Sequence, residues 1–377
     1  MITIGIRMID RMHPNPRQRI AFKMPSRHED SIKSPVTAGW YHRSGGGPVR
    51  AYALTEHGGP EVLRLRDVPD PIPGTGEILV AVRATACNRA DAMQRAGHYP
   101  PPHPAPAYEI PGLEFAGTVE ATGPGVLAHQ RGDRVFGLLP GGGYAEKVVT
   151  HERMALAMPP RMSWEEAAAI PEVFFTAQDA LFGQAGLAAG ESVLIHAAGS
   201  GVGTAAVQLA SAAGATVVGT SRSQDKCARV GALGAQAVVH VPPDLDFAPA
   251  VLEANDGRPV DVVLDLVGAA YFPATLAVLA PGGRLVCIGL VGGSRTPIDL
   301  GLLLQRRLRI MGSALRSRPL EEKIALTQTF GALVLPRLAS GRLRPVIDRV
   351  LYWEQAAEAH RLLESNTVFG KIVLRVG

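Results

Sequence analysis

A glycine-rich turn offers the clearest chemistry in the sequence. Residues 192–221 read SVLIHAAGSGVGTAAVQLASAAGATVVGTS, an apolar strand followed by a turn, a helix with small residues on one side and a second strand. The turn comprises Gly199, Ser200, Gly201, Val202 and Gly203. Its glycines would let the backbone approach a pyrophosphate, and the amides at the helix start would point at the anion. Because this order of elements is more specific than glycines alone, it predicts dinucleotide binding.

The end of the second strand predicts which dinucleotide is bound. A carboxylate there would bind the ribose 2′-hydroxyl of NAD. Residues 220–223 instead read Thr-Ser-Arg-Ser, and a lysine follows one turn later. The Ser221 hydroxyl and the Arg222 and Lys226 cations suit a 2′-phosphate, so NADPH is the predicted cofactor. The alternative interpretation is a solvated helix start.

The elements around this turn predict an α/β protein of two domains. Residues 49–167 are short β-branched runs between Pro/Gly turns, which indicates a mostly β domain. Residues 168–312 alternate strands with helices and predict a doubly wound parallel sheet, while 313–377 should return to the first domain. Gly268, Gly289 and Leu290 follow strands of that sheet, where the nicotinamide half should lie.

Residues 1–48 show no sustained period and end in SGGGP, so we expect a poorly ordered extension. An organellar transit peptide is one alternative, because the stretch is rich in arginine and poor in acidic residues. A second is a misplaced start, since folded sequence begins abruptly at VRAYALTEHGGPEVL and Val49 could be the initiator.

Charge and cysteine content exclude several classes. The net charge is +4, but residues 1–50 hold nine Lys/Arg and three Asp/Glu, so the remainder carries 29 basic and 31 acidic residues. That balance does not support nucleic-acid binding. Cys87, Cys227 and Cys287 are too few for a disulfide framework, which favours a reducing compartment, the cytoplasm. No uncharged apolar run approaches the ~20 residues that span a bilayer, so no membrane partner is expected.

Seven blocks carry a resemblance that covers about 49–377. They are EHGGPEVL, CNRADAMQRAGHYPPP, IPGLEFAGTVEATGPGV, GDRVFGLLPGGGYAEKV, AAAIPEVFFTAQDAL, HAAGSGVGTAAVQLA and GKIVL. In this order they resemble the zinc-independent medium-chain dehydrogenase/reductases, and more closely the zeta-crystallin-like NADPH:quinone oxidoreductases. The resemblance implies a GroES-like catalytic domain, a Rossmann cofactor domain, and a homodimer in which strands near 285–312 pair.

The resemblance also bears on metal. Relatives that use zinc carry a Cys-His pair and a Gly-His-Glu segment, whereas this chain has Cys87 before Asn88, and Leu113 between Gly112 and Glu114. A zinc ion needs three or four ligands, so Cys87 with Glu114 is too few, and we expect no metal. Cys87 is then a small buried residue.

In the resembling enzymes an asparagine and a tyrosine lie beside the nicotinamide, and these match Asn88 and Tyr99. Tyr99 could orient the nicotinamide or donate to a developing oxyanion. The plain alternatives are that Asn88 caps a turn and that Tyr99 packs on the prolines after it. Arg89 and Asp91 are close enough in sequence to form a local ion pair, and we assign them no chemistry.

The leading functional hypothesis is NADPH-dependent quinone reduction by hydride transfer in an interdomain cleft. The first alternative is double-bond reduction of an enoyl thioester or 2-alkenal, so the substrate is a small quinone or activated alkene. The second is a non-catalytic NADPH-binding or structural protein, which measurable turnover would exclude.

Overall fold

The computed structural model describes residues 47–99 and 105–377. The predicted poorly ordered extension at 1–48 falls, apart from its last two residues, outside the described residues. Within the described ranges, no helix combines the length and apolar character that crossing a membrane requires.

The described residues form fifteen strands and eleven α-helices. The strands are β1 (Val49–Tyr52), β2 (Leu65–Val68), β3 (Glu77–Cys87), β4 (Glu114–Thr122), β5 (Arg134–Leu138), β6 (Lys147–His151), β7 (Ala155–Ala157), β8 (Ser192–Ile195), β9 (Thr216–Ser221), β10 (Ala237–His240), β11 (Val260–Asp265), β12 (Leu279–Cys287), β13 (Arg309–Gly312), β14 (Ile347–Tyr352) and β15 (Lys371–Arg375). The helices are α1 (Arg89–Arg95), α2 (Trp164–Ala168), α3 (Pro171–Gln178), α4 (Gly201–Ala212), α5 (Gln224–Gly231), α6 (Ala248–Ala254), α7 (Phe272–Val278), α8 (Leu300–Arg306), α9 (Leu320–Leu333), α10 (Leu335–Ala339) and α11 (Ala356–Glu364).

A seven-stranded, mostly antiparallel sheet forms the first layer. Its order is β14-β15-β3-β4-β5-β7, with β6 also paired to β3, while β1 and β2 form a separate antiparallel pair. The long central strand β3 is rich in β-branched and small residues that suit a largely buried strand. The C-terminal strand β15 lies antiparallel to β3, with Ile372 opposite Cys87. The C-terminal strand therefore completes the sheet that residues 77–157 begin.

The second sheet has six strands, all parallel, in the order β10-β9-β8-β11-β12-β13. Numbered from β8, this is the order 3-2-1-4-5-6 of dinucleotide-binding sheets, with the switch point between β8 and β11. Alternating helices provide the crossovers that parallel strands require. The predicted fold class, a mostly β domain plus a doubly wound parallel sheet, is confirmed.

One apolar cluster runs from the first sheet into the second. Phe136, Val173, Val207 and Val373 belong to it, and each is buried. The backbone also joins the two sheets, because the Gly370 amide, just before β15, donates to Gly199 O at 3.0 Å. The C-terminal strand therefore lies directly against the glycine-rich turn.

Candidate active site

The glycine-rich turn lies between β8 and α4, at the carboxyl end of the parallel sheet. Ser200 caps α4, since its Oγ accepts the Gly203 amide at 3.1 Å. The amides of Gly201 and Val202, in the first helical turn, have no intrahelical carbonyl to bond. A Cβ on Gly203 would come within 2.5 Å of Ala197 O, so only glycine permits this tight turn. The predicted residues thus form a turn whose amides can hold a phosphate.

The three residues predicted to select a 2′-phosphate differ in their surroundings. Arg222 is exposed, and its guanidinium makes no hydrogen bond or ion pair within the described residues. The Ser221 hydroxyl accepts the Ser223 amide at 3.1 Å and so serves the local turn. The Lys226 ammonium donates to the carbonyl oxygens of Asn366 and Val368, each at 2.7 Å, and holds the segment before β15.

The loops after β11 and β12 pack against each other beside the switch point. Gly268 has φ +82°, and a Cβ there would lie 2.7 Å from Gly293 O. A Cβ on Gly289 would come equally close to Leu266 O, at 2.7 Å. Both glycines therefore let two loops meet closely, while Leu290 is 55% exposed and contributes an apolar surface at the sheet edge.

Asn88 joins a buried ion pair that holds four distant segments together. Lys371 Nζ donates to Glu114 Oε1 and Cys87 O, at 2.8 and 2.9 Å, and also to Asn88 Oδ1. The side-chain amide of Asn88 donates to Glu114 Oε1 at 2.8 Å, and Asn88 is also the N-cap residue of α1. The second oxygen of Glu114 accepts the Glu172 amide at 2.8 Å. Lys371 and Glu114 are 3% and 0% exposed.

Asp91 lies beside this cluster and organises the backbone. Its two oxygens accept the amides of Asn88 and Gly112, at 2.8 and 3.0 Å. The predicted ion pair with Arg89 is wrong, because the Arg89 guanidinium donates to Leu363 O at 2.8 Å and to an asparagine side chain nearby. Since Asp91 is fully buried, burial raises the pKa of its carboxyl to about 6.

Tyr99, Arg316 and Glu172 lie next to the buried cluster. The Arg316 guanidinium stacks over the Tyr99 ring, 4.8 Å from its centroid, and Arg316 Nε donates to Pro140 O at 2.8 Å. Arg316 Nη1 and Nη2 are buried and make no hydrogen bond of ordinary geometry with a described residue, although the guanidinium lies close enough to the Tyr99 hydroxyl to oppose the rise in the pKa of Tyr99 by its charge and a weak hydrogen bond. Glu172, the second residue of α3, interacts electrostatically with both Tyr99 and Arg316. The structure thus brings Tyr99 together with two charged groups, and one of them, Arg316, has N–H donors that no described residue accepts in ordinary geometry.

Four residues of this site were not identified from the sequence. Lys371 and Glu172 stood in sequence blocks that carry the family resemblance, but no role was predicted for them. Glu114 was considered only as a possible metal ligand, and Arg316 was not considered. A signal did exist for the carboxylates, because each stands in an apolar block, GLEFAG or AAIPEVFF, where a charge needs a partner.

Comparisons with known proteins agree with this fold. Residues 74–160 match the model of the alcohol dehydrogenase GroES-like domain, and residues 201–330 match that of the zinc-binding dehydrogenases. The chain is 34% identical to a quinone oxidoreductase of Lama guanicoe over 331 residues, covering 86% of this chain and 97% of the relative. It is also 34% identical to a quinone oxidoreductase of Pseudomonas aeruginosa, covering 84% and 97%.

Solved structures point the same way. A mycobacterial protein determined with NADPH superposes with a TM-score of 0.77 at 32% identity, covering 86% of this chain and 99% of the other. The CurK enoyl reductase gives a TM-score of 0.77 at 30% identity, covering 88% and 100%. The chain therefore belongs to the medium-chain dehydrogenase/reductases, in their quinone oxidoreductase family. It is an oxidoreductase that uses a nicotinamide cofactor.

Removing one partner of the buried ion pair tests its structural role. We expect Lys371→Met to lower the free energy of unfolding by about 3–5 kcal/mol, because it leaves the Glu114 charge buried without its cation. Urea denaturation measures this value. The double variant Glu114→Gln/Lys371→Met should lose much less than the sum of the single variants. The matched control is Arg50→Met in the more exposed Arg50–Glu146 pair, which should cost no more than ~1 kcal/mol. If Lys371→Met and Arg50→Met lowered the free energy of unfolding equally, the structural role of the Lys371–Glu114 ion pair would be contradicted.

Proposed function

We propose that this protein reduces quinones with NADPH by hydride transfer, without a metal ion. The observation that carries the proposal is the Lys371–Glu114–Asn88 cluster. It puts a hydrogen-bonded ion pair in the region where zinc-using relatives carry their ligands. Chemistry at this site must then use hydrogen bonds and charged side chains in place of a Lewis acid.

The side chains in that region do not fit a zinc ion. Cys87 is 2% exposed, and burial raises the pKa of its thiol to about 12, so the thiolate that zinc binds is disfavoured. Leu113 is apolar and buried, and both oxygens of Glu114 already accept hydrogen bonds. Within the described residues, no three His, Cys, Asp or Glu side chains are grouped to hold a metal.

The residues around the parallel sheet do fit NADPH. The turn amides of Gly201 and Val202 would hold the pyrophosphate, and the Arg222 guanidinium, which has no partner among the described residues, would bind the 2′-phosphate. Lys226 would support the 2′-phosphate end of the site indirectly, because its ammonium bonds the backbone of the segment before β15. When bound, NADPH supplies the hydride. The mycobacterial neighbour with NADPH supports the choice of cofactor, and Tyr99 and Asn88 would flank the nicotinamide.

Arg316 supplies the positive charge that reduction of a carbonyl requires. A quinone oxygen becomes negative as hydride arrives, and donors already in place stabilise that charge without reorganisation. The buried Nη1 and Nη2 atoms of Arg316 have unused N–H groups for this purpose, and the Tyr99 ring holds the guanidinium plane. The same donors could serve the thioester carbonyl of an enoyl substrate, which the CurK neighbour makes the second candidate.

A direct assay separates these substrates. With NADPH in excess, we expect 1,2- or 1,4-quinones to be reduced and an enoyl thioester to be reduced far more slowly, as followed by absorbance of the reduced cofactor. Arg316→Gln should lower kcat/KM roughly 10²–10³-fold while leaving NADPH affinity unchanged, because only the substrate oxygen loses its donor. The exposed Arg161→Gln is the control. Reduction of the thioester alone would establish the second candidate, and turnover of neither would favour a binding or structural role.

Cofactor preference should depend on Arg222. We expect Arg222→Asp to weaken NADPH binding roughly 10- to 100-fold, since it replaces a charge-assisted hydrogen bond to phosphate by repulsion. NADH affinity should stay the same or rise. Titration of cofactor fluorescence measures both, with Arg161→Asp as a matched exposed arginine. Equal affinities of the wild type for NADPH and NADH would refute the preference.

We further propose that the protein works in a reducing compartment, the cytoplasm. Cys87, Cys227 and Cys287 are free thiols in the structure and would stay reduced there.

We also propose that the protein forms a homodimer. Strand β13 is the edge of the six-stranded sheet. Leu300 and Leu304 nearby are 66% and 78% exposed. An edge strand flanked by exposed apolar residues suits pairing across a two-fold axis.

Sedimentation tests this proposal. The wild type should have twice the mass of one chain, and Leu304→Arg should shift it toward the monomer because a charge would be buried at the interface. Leu127→Arg changes an equally apolar, 93% exposed residue elsewhere and should leave the dimer intact. A monomeric wild type would overturn the proposal.

A further inference from the structure

We propose that Glu172 is the general acid of the reaction and delivers the proton that neutralises the reduced substrate. This inference rests on the proposed hydride transfer but applies equally to a quinone or an enoyl thioester. Hydride transfer leaves a negative charge on the substrate, so a proton donor beside the acceptor completes the reduction. No residue assigned above to the cofactor or to the substrate oxygen fills this role.

The hydrogen bonds single out Glu172 among three neighbouring carboxyl groups. Asp91 uses both oxygens to accept backbone amides. Glu114 accepts Lys371 and Asn88 at one oxygen and the Glu172 amide at the other. The Glu172 carboxyl accepts no hydrogen bond from any described residue. A carboxylate with several donors keeps its negative charge, whereas one without donors in a crowded site favours its protonated form.

The numbers of acidic and basic groups in the cluster also point to Glu172 as the protonated carboxyl. Three carboxyl groups face two cations, the Lys371 ammonium on β15 and the Arg316 guanidinium in the loop after β13, so the cluster favours one bound proton. Burial, and then repulsion from Glu114 on β4 and Asp91 on α1, raise the pKa of the Glu172 carboxyl to about 8. Lys371, with an effect between those of Glu114 and Asp91, and Arg316 lower this pKa but do not cancel the rise. The acid form of Glu172 therefore predominates at neutral pH and is lost as the pH rises through that value.

Position gives Glu172 access to the substrate. Its backbone amide bond to Glu114 fixes the start of α3, and that bond does not depend on the Glu172 side chain. Glu172 as a whole is half-buried, although its carboxyl lies deep enough for burial to be the main cause of its raised pKa. Its charge acts on Tyr99 and Arg316, which lie at the proposed substrate oxygen. The phenol of Tyr99 is a weaker acid, since burial, Glu172 and Asp91 raise its pKa further.

The proposed step balances for a quinone. The quinone gains two electrons and one hydrogen as hydride, which leaves one of its oxygens negative. The O–H bond of Glu172 breaks as a new O–H bond forms on that oxygen, giving the hydroquinone and the Glu172 carboxylate. Water then returns a proton to the carboxylate, so each turnover consumes one proton from solution.

Glu172→Gln and Glu172→Asp provide the test, because glutamine keeps the shape without an acid and aspartate keeps an acid. In the cofactor-free protein, infrared spectroscopy should show a protonated carboxyl band at pH 7 that fades as the pH rises through about 8 and is missing in Glu172→Gln. In turnover, wild-type kcat/KM should fall above the same pH. Glu172→Gln should lose roughly 10²-fold or more and show no such fall, with NADPH affinity unchanged. Glu172→Asp and Tyr99→Phe should both keep the alkaline fall.

The test of Glu172 can fail independently of the proposed quinone reduction, because it can be made on whichever substrate the protein reduces. If quinones are not reduced but the thioester is, the same variants are compared on the thioester. Full activity of Glu172→Gln, or an alkaline fall that persists in it, would overturn the role of Glu172. An infrared band that remains in Glu172→Gln would also overturn it, by placing the proton on Asp91 or Glu114. Loss of the alkaline fall in Tyr99→Phe alone would assign the proton to Tyr99.

Discussion

The buried ion pair between Lys371 and Glu114 is the interaction on which the rest of the site depends. Lys371 uses its three N–H donors on three acceptors, and Glu114 receives bonds at both oxygens. Such complete pairing is what makes two charges tolerable in a buried position, since desolvation otherwise outweighs their attraction. Strands β4 and β15, the junction of β3 with α1, and the start of α3 are thereby held at one point.

The same strand couples the two halves of the site. Gly370, next to Lys371, bonds the backbone of Gly199 in the glycine-rich turn. A Cβ on Gly201 would come within 2.9 Å of the Lys371 side chain, so glycine permits the close contact of the turn with β15. The turn that would hold the pyrophosphate and the cluster that holds Asn88 and Glu172 thus share β15. A displacement of this strand would move both.

Sequence patterns predicted what is local. Alternating strands and helices predicted the parallel sheet, and the order of residues around Gly199–Gly203 predicted the strand, turn and helix found there, because each depends on residues close in the chain. Contacts between distant residues were beyond such patterns. Lys371 and Glu114 are 257 residues apart, and Lys226, placed by pattern at a phosphate, bonds carbonyls 140 and 142 residues away. Arg89 failed as a partner of Asp91 for the same reason.

The three charged groups of the site have different tasks, and their hydrogen bonds explain the division. Lys371 has no unused donor, so it can fix the architecture but cannot bind substrate. Arg316 has two buried nitrogens without a well-formed hydrogen bond to any described residue, so in the proposed reaction their N–H groups are available to a substrate acceptor. The Glu172 carboxyl accepts no hydrogen bond from a described residue, which favours the protonated form that the proposed reaction requires. A zinc ion would combine architecture and charge stabilisation in one centre. The proposed reaction distributes these two tasks over side chains from β15, the loop after β13 and the start of α3.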